Sequence, residues 1–248
     1  STMYVGKTII AYDSVLQQYR DEARPYVAAE ITTSPKLCRT LLTLAGARSG
    51  DVILDPFCGT GTLLMEAAIQ GMQCRGIDID PNAVQGTISN LKWLAKELHT
   101  HIDYVVRVGD AREATSLIDG PVDAIAFEPY LGPLYARPPT VGEAQEVIKQ
   151  LTLLYRDALA ELAALLGQGG RVAMTVPIIN TATEPVTVDL ERMTEGTELT
   201  VNQFLPAKVV TQSAATHEKL RIHPGRRSIP ERKRGQVVQR AIVMLEKL

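Results

Sequence analysis

Two periodicities alternate along most of this chain. Short apolar runs with the texture of buried strands recur between longer stretches in which apolar residues return every three or four positions. The runs predict strands at 51–55, 74–79, 104–108, 122–127 and 172–176. Between them lie helical patterns. One opens on Ser34-Pro35, a capping residue followed by proline at the first helical position, and carries Leu37, Leu41, Leu42 and Leu44 on one face before Gly46 or Gly50 ends it. A second covers 60–69 and stops at Gly71. A third starts at Asp80-Pro81 and carries Leu91, Trp93, Leu94 and Leu98. The longest, 143–166, is closed by Gly167 and the Gly169-Gly170 pair.

Strand and helix in strict alternation predict βαβ units on a mainly parallel sheet. After Pro177 the pattern weakens, and 199–210 and 237–245 read as two antiparallel strands at the sheet edge. The expected fold is therefore a Rossmann-like α/β domain with a seven-stranded, mostly parallel sheet and an antiparallel edge. It occupies 31–248, behind an N-terminal arm or linker remnant over 1–30 that has no clear period.

Composition narrows the class. At 248 residues the chain suits one α/β domain, which buries roughly 70–75% of its unfolded surface and needs no disulfide or metal to fold. The cysteines Cys38, Cys58 and Cys74 form no Cys-x-x-Cys pair, so they are expected to be reduced and the protein cytoplasmic. His99, His101, His217 and His223 lack metal-ligand spacing, and no metal is expected. No apolar run approaches the ~20 residues of a membrane span.

The net charge of −2 hides an uneven distribution. Lys219, Arg221, Arg226, Arg227, Arg232, Lys233, Arg234 and Arg240 cluster with Glu231 as their only acid. Such a block is either a solvated loop between the last two strands or a phosphate-contacting patch.

Candidate chemistry sits at the strand ends. Asp55-Pro56-Phe57-Cys58-Gly59-Thr60-Gly61-Thr62 follows the first strand, and in an open parallel sheet this turn is the usual ligand site. No lysine makes it a P-loop. Dinucleotide binding wants a glycine where Leu64 stands, and Asp55 would repel a pyrophosphate. S-adenosylmethionine fits better, because it has no phosphate and offers a sulfonium and an ammonium to Asp55. Asp78, followed by Ile79, is placed to accept from ribose hydroxyls, and Asp110, followed by Ala111, from the adenine amine.

The fourth strand ends in Glu128-Pro129-Tyr130. Methyl transfer to an exocyclic amine requires acceptors on the amine's protons, aligned in advance. Glu128 supplies a carboxylate, Pro129 a carbonyl in a rigid frame, and Tyr130 a ring for stacking on a base. The loop 132–139 follows, with Arg137 near the mouth as a phosphate contact.

These motifs, with Gly76-Ile77-Asp78-Ile79-Asp80-Pro81, Gly109-Asp110-Ala111 and Glu128 to Gly132, resemble the catalytic domain of the archaeal and eukaryotic tRNA guanine-N2-methyltransferases. Gly6-Lys7-Thr8-Ile9, Arg24-Pro25 and Ser34-Pro35-Lys36-Leu37 look like the segment that follows the RNA-binding THUMP domain in that family. The resemblance implies a class I S-adenosylmethionine-dependent methyltransferase acting on guanine N2 in tRNA. It also makes Arg137, Arg226, Arg227, Arg232, Lys233 and Arg234 candidate RNA contacts.

Two departures stand out. The family reads Asp-Pro-Pro-Tyr where this chain has Glu128-Pro129-Tyr130, and keeping register through Gly132 puts Leu131 at the aromatic position. No THUMP domain lies within the 248 residues, which leaves room for a helper subunit. The residues leave three other readings open: a cytosine-N4 methyltransferase on rRNA or DNA, a methyltransferase for a glutamine side-chain amide in a protein, and a non-catalytic cofactor-binding subunit.

Overall fold

A computed structural model describes residues 13–27, 33–206, 225–231 and 235–248. The strands are β1 (Val52–Asp55), β2 (Gln73–Asp78), β3 (Tyr104–Val108), β4 (Val122–Phe127), β5 (Leu166–Asn180), β6 (Pro185–Thr187), β7 (Leu199–Val201), β8 (Ser228–Glu231) and β9 (Val238–Lys247). Seven of them form one path, β3-β2-β1-β4-β5-β9-β7. Neighbours from β3 to β5 are parallel, whereas β9 runs antiparallel to β5, β7 and β8. Because β1 lies between β2 and β4, the strand order reverses there, and the crevice outside their carboxyl ends is where such sheets bind ligands.

The helices are α1 (Ser14–Ala23), α2 (Pro35–Leu44), α3 (Thr62–Ile69), α4 (Pro81–Glu97), α5 (Ala114–Leu117), α6 (Val141–Leu165) and α7 (Leu190–Thr194). The expected caps form: Ser34 Oγ accepts from the Leu37 amide at 3.3 Å, and Asp80 from the Asn82 amide at 2.8 Å. The long helix α6 begins at a reciprocal capping box between Thr140 and Glu143.

Side-chain alternation along the strands builds two cores. Leu54, Ile125, Phe127, Val172 and Met174 face α6, where Leu151, Tyr155, Leu159 and Leu162 pack. Ile53, Ala124, Ala126, Ala173 and Ile242 face the opposite side, under Leu41, Leu64, Leu91 and Leu94 of α2, α3 and α4. Each leucine, isoleucine, valine, methionine or phenylalanine among them that is fully withdrawn from water contributes about 1.5–3 kcal/mol.

Several details depart from the pattern-based expectation. The fifth strand starts at Leu166, directly after α6, because the glycines that were to end the helix bulge within the strand: Val122 pairs with Leu166, and Ala124 next with Arg171. Two short strands join the path from outside, β6 on β5 and β8 on β9. The seventh strand is shorter than 199–210, ending at Val201, and 207–210 lie outside the described residues. Within 1–30, residues 14–23 form α1, while 1–12, including the 6–9 motif, and 28–30 lie outside the described residues.

The reason α1 was invisible is that its buried residue is Gln17, so no apolar stripe marks it. It is tied down by polar contacts. Gln17 Nε2 donates to buried Glu66 at 3.4 Å, Arg39 donates to Gln17 at 2.8 Å, and the Tyr19 and Trp93 rings meet at 6.2 Å. No helix among the described residues is long and apolar enough to cross a membrane.

Candidate active site

The turn from β1 into α3 is held open by its neighbours rather than by its own side chains. Gly59 and Gly61 have φ of 51° and 77°, a left-handed conformation that glycine adopts freely. A Cβ on Gly61 would stand 2.7 Å from Thr87 Cγ2. Helix α4 pins the loop from below: Thr87 Oγ1 donates to the Gly59 carbonyl and Asn90 Nδ2 to that of Thr60, both at 2.8 Å. Helix α3 then starts at Gly61 with no side-chain cap on its first amides.

Asp55 is 3% exposed at the start of this turn, and its carboxylate accepts from the Phe57 amide at 3.1 Å. Burial pushes its carboxyl well above the usual carboxylate range, and the neighbouring Asp78 and Glu128 push it further against that hydrogen bond. The Phe57 and Phe127 rings stack 5.4 Å apart and brace the ends of β1 and β4 against each other. Cys38, Cys58 and Cys74 are all buried, and burial raises each thiol, that of Cys74 to about 12.

Asp78 sits at the end of β2, where one oxygen accepts from the Gly59 amide at 2.7 Å and the other from the Asp80 amide at 3.0 Å. It fastens the two βα turns together, and each oxygen keeps a further lone pair. Ile79, beside it, is 73% exposed and offers an apolar ledge. Asp110 is more committed. Its carboxylate grips Arg112 through Nε and Nη2, the shortest contact being 2.6 Å, and also caps the short 3-10 turn that contains buried Ala111.

At the end of β4, Glu128 Oε1 is paired with Arg240 of β9, while its Oε2 is buried without a hydrogen-bond partner. Pro129 is buried. Tyr130 is 57% exposed at the mouth, and its backbone carbonyl accepts from the buried Tyr155 hydroxyl of α6 at 2.5 Å. Arg240 also binds Glu231 of β8. Burial alone would lower the Arg240 guanidinium, and the two carboxylates more than reverse that.

The basic block therefore divides. Arg240 turns inward to Glu128, and Arg227 pairs with Glu191 at the surface. Arg226 and Arg137 are exposed, and Arg232, Lys233 and Arg234 lie outside the described residues.

One site residue had no motif to reveal it. Arg24, just after α1, is 5% exposed; its Nη1 donates to Thr62 Oγ1 at 2.8 Å, at the first turn of α3, and its Nε is buried without a partner. Its one trace in the sequence was the Arg24-Pro25 resemblance. A buried carboxylate at one side of the turn and an incompletely bonded guanidinium at the other match a ligand that carries both charges.

This strand order and crevice define a class I α/β methyltransferase fold. TrmN from Thermus thermophilus superposes with a TM-score of 0.57 at 23% identity, over 89% of this chain and 51% of that one. Magnesium protoporphyrin IX methyltransferase from Synechocystis PCC 6803, solved with bound SAM, gives 0.53 at 12% identity over 97% of this chain and 100% of that one. At such identities the likeness is one of fold. The sequence carries it to a family: residues 23–188 match the RMKL-like methyltransferase domain (UPF0020), and the chain belongs to that family.

Among its relatives, the tRNA (guanine(10)-N2)-dimethyltransferase of Methanothermobacter thermautotrophicus is 38% identical over 161 residues, 64% of this chain and 43% of that protein. The enzyme of the same name from Methanocaldococcus jannaschii is 35% identical over 166 residues, 63% of this chain and 44% of that protein. The aligned part thus spans less than half the length of these relatives.

Proposed function

We propose that this chain is an S-adenosylmethionine-dependent methyltransferase acting on the exocyclic N2 amine of guanine in tRNA, in the cytoplasm. The observation that carries the reading is Glu128 Oε2, a buried acceptor without a partner at the end of β4, near the buried Asp55 carboxylate of β1. The names of the aligned relatives support guanine N2 as the acceptor.

The residues of the crevice fit the cofactor's charges. Asp55 complements its ammonium and sulfonium, and Arg24 with the free amides of α3 complements its carboxylate. Asp78 offers its remaining lone pairs to the ribose, Ile79 a face for the adenine, and Asp110 an edge acceptor while it keeps Arg112. When bound, S-adenosylmethionine supplies an electrophilic methyl group.

The chain's own part is to present the amine. Glu128 Oε2 and the Pro129 carbonyl accept from the two N–H groups and draw the nitrogen lone pair out of conjugation with the ring. Tyr130 stacks on the extruded base, a contact worth ~1–3 kcal/mol, and extrusion itself costs a few kcal/mol. The exposed Arg137 and Arg226 contact phosphates, and a helper subunit or domain contributes the remaining RNA grip.

The test is E128A, assayed with labelled cofactor on total tRNA, rRNA and DNA, followed by nucleoside mass spectrometry. Transfer to tRNA as N2-methylguanosine should fall by about 10²–10³-fold, with cofactor affinity nearly unchanged. A wild-type product on cytosine N4 would refute the guanine assignment, and tight cofactor binding without turnover on any acceptor would refute the enzyme.

A further inference from the structure

The pairing of Glu128 joins two parts of the chain that no motif connects. Glu128 directly follows β4, within the segment that matches the family, while Arg240 lies on β9, beyond residue 188 where that match ends. Strand alternation puts them on one face. Phe127 and Met174 face α6, so Glu128 and Thr175 face the other side, with Ala126, Ala173 and Ile242. Arg240 is two residues from Ile242 on β9 and shares that face, as does its β8 partner Glu231.

Reach explains the side chains. With β5 between them, β4 and β9 are two strand spacings apart, about 10 Å. A glutamate and an arginine together cross this distance over the smaller Thr175.

We infer that Arg240 is a positioning residue for the methyl acceptor, an inference that rests on the amine-methyltransferase reading of the site. Its guanidinium commits Oε1 of Glu128 and leaves Oε2 as a bare acceptor in a fixed direction. Glu231 holds the far side of the same guanidinium, so the fork cannot rotate away. The row Glu231–Arg240–Glu128 keeps one net negative charge facing a donor-rich base edge. Guanine presents such an edge, because N1–H adjoins the N2 amine, whereas cytosine N4 and adenine N6 adjoin a ring nitrogen that only accepts. Glu128 after β4 and Arg240 on β9, two strands away, form one device.

The test uses the full chain with tRNA and labelled cofactor. R240Q is expected to lower kcat on the order of 10²-fold, while the dissociation constant for S-adenosylmethionine, read by calorimetry, stays within twofold. R240K should recover part of the loss, since lysine restores the charge but not the planar fork. Added to E128A, R240Q should cost nothing more, as befits residues acting as a unit.

Wild-type kcat in R240Q, additive losses with E128A, or a parallel loss of cofactor affinity would each overturn the role. If R240Q proves too unstable to assay, R240K decides alone: lowered kcat at unchanged cofactor affinity supports the role, and unchanged kcat rejects it. A wild type as inactive as E128A on every acceptor would instead remove the methyltransferase reading, and this inference with it.

Discussion

Ionised Asp55 bears an electrostatic cost that either a proton or a cationic ligand relieves. Its folded, ligand-free carboxyl is raised by burial and by Asp78 and Glu128, whereas in the unfolded chain it titrates near 3.9. Between those two values the folded state holds a proton that the unfolded state has lost, so stability falls as pH rises through that window. A cationic ligand favours the ionised form. Binding of S-adenosylmethionine is therefore expected to release a proton and to tighten with pH until the raised value is passed. Calorimetry in buffers of different ionisation enthalpy reads the proton directly. D55N should keep or raise the melting temperature of the ligand-free protein at neutral pH and lose the cofactor-induced shift. Cofactor affinity independent of both pH and D55N would place Asp55 outside the site. Asp55 was legible as a candidate because its motif is contiguous. Arg24 was not, because only packing brings it to Thr62.

Helices and strands whose signals are local could be read directly. Ser34-Pro35 and Asp80-Pro81 open α2 and α4 as expected, because a cap is decided within four residues. Helix α1 and strand β8 could not be, since each owes its place to a distant partner. Residues 228–231, with Pro230 among them, look like loop in a basic run. They become a strand because β9 offers an edge, and a sheet tolerates proline on an outer strand.

The segment after α1 is held where the Tyr26 backbone N–H donates to Asn90 Oδ1 and its carbonyl accepts from Asn90 Nδ2, each at 2.9 Å, and where its ring lies over Gly86. A Cβ at position 86 would stand 2.1 Å from that ring. G86A, a favourable change for an isolated helix, is thus expected to release the N-terminal helix to limited proteolysis. It should also weaken cofactor binding several-fold through Arg24. Protection equal to wild type would show that this docking is not what holds Arg24.

Across the whole molecule the sheet gathers the site from far along the chain. The reversal of strand order at β1 sets Asp55, Asp78 and Glu128 around one crevice, and the antiparallel return of β9 adds Arg240. The expected RNA patch is reshaped by this, because Arg240 and Arg227 are engaged with carboxylates. If Arg137 and Arg226 contact phosphates, R137Q with R226Q should weaken tRNA binding and flatten its logarithmic salt dependence by about one unit per contact. A slope equal to that of wild type would move the RNA footprint elsewhere. Swapping either arginine for lysine should leave the slope intact, since counterion release follows charge.

Periodicity and contiguous motifs were enough for the α/β class, the order of the first five strands along the chain, and the two strand-end motifs. Each of these depends on residues within a few positions of one another, where propensity, capping and alternation act. The partners of those motifs required the fold. That Glu128 is held by Arg240, that a guanidinium waits at the start of α3, and that part of a basic run is strand all depend on which strands lie side by side. Sheet pairing is long-range, and no local pattern encodes it.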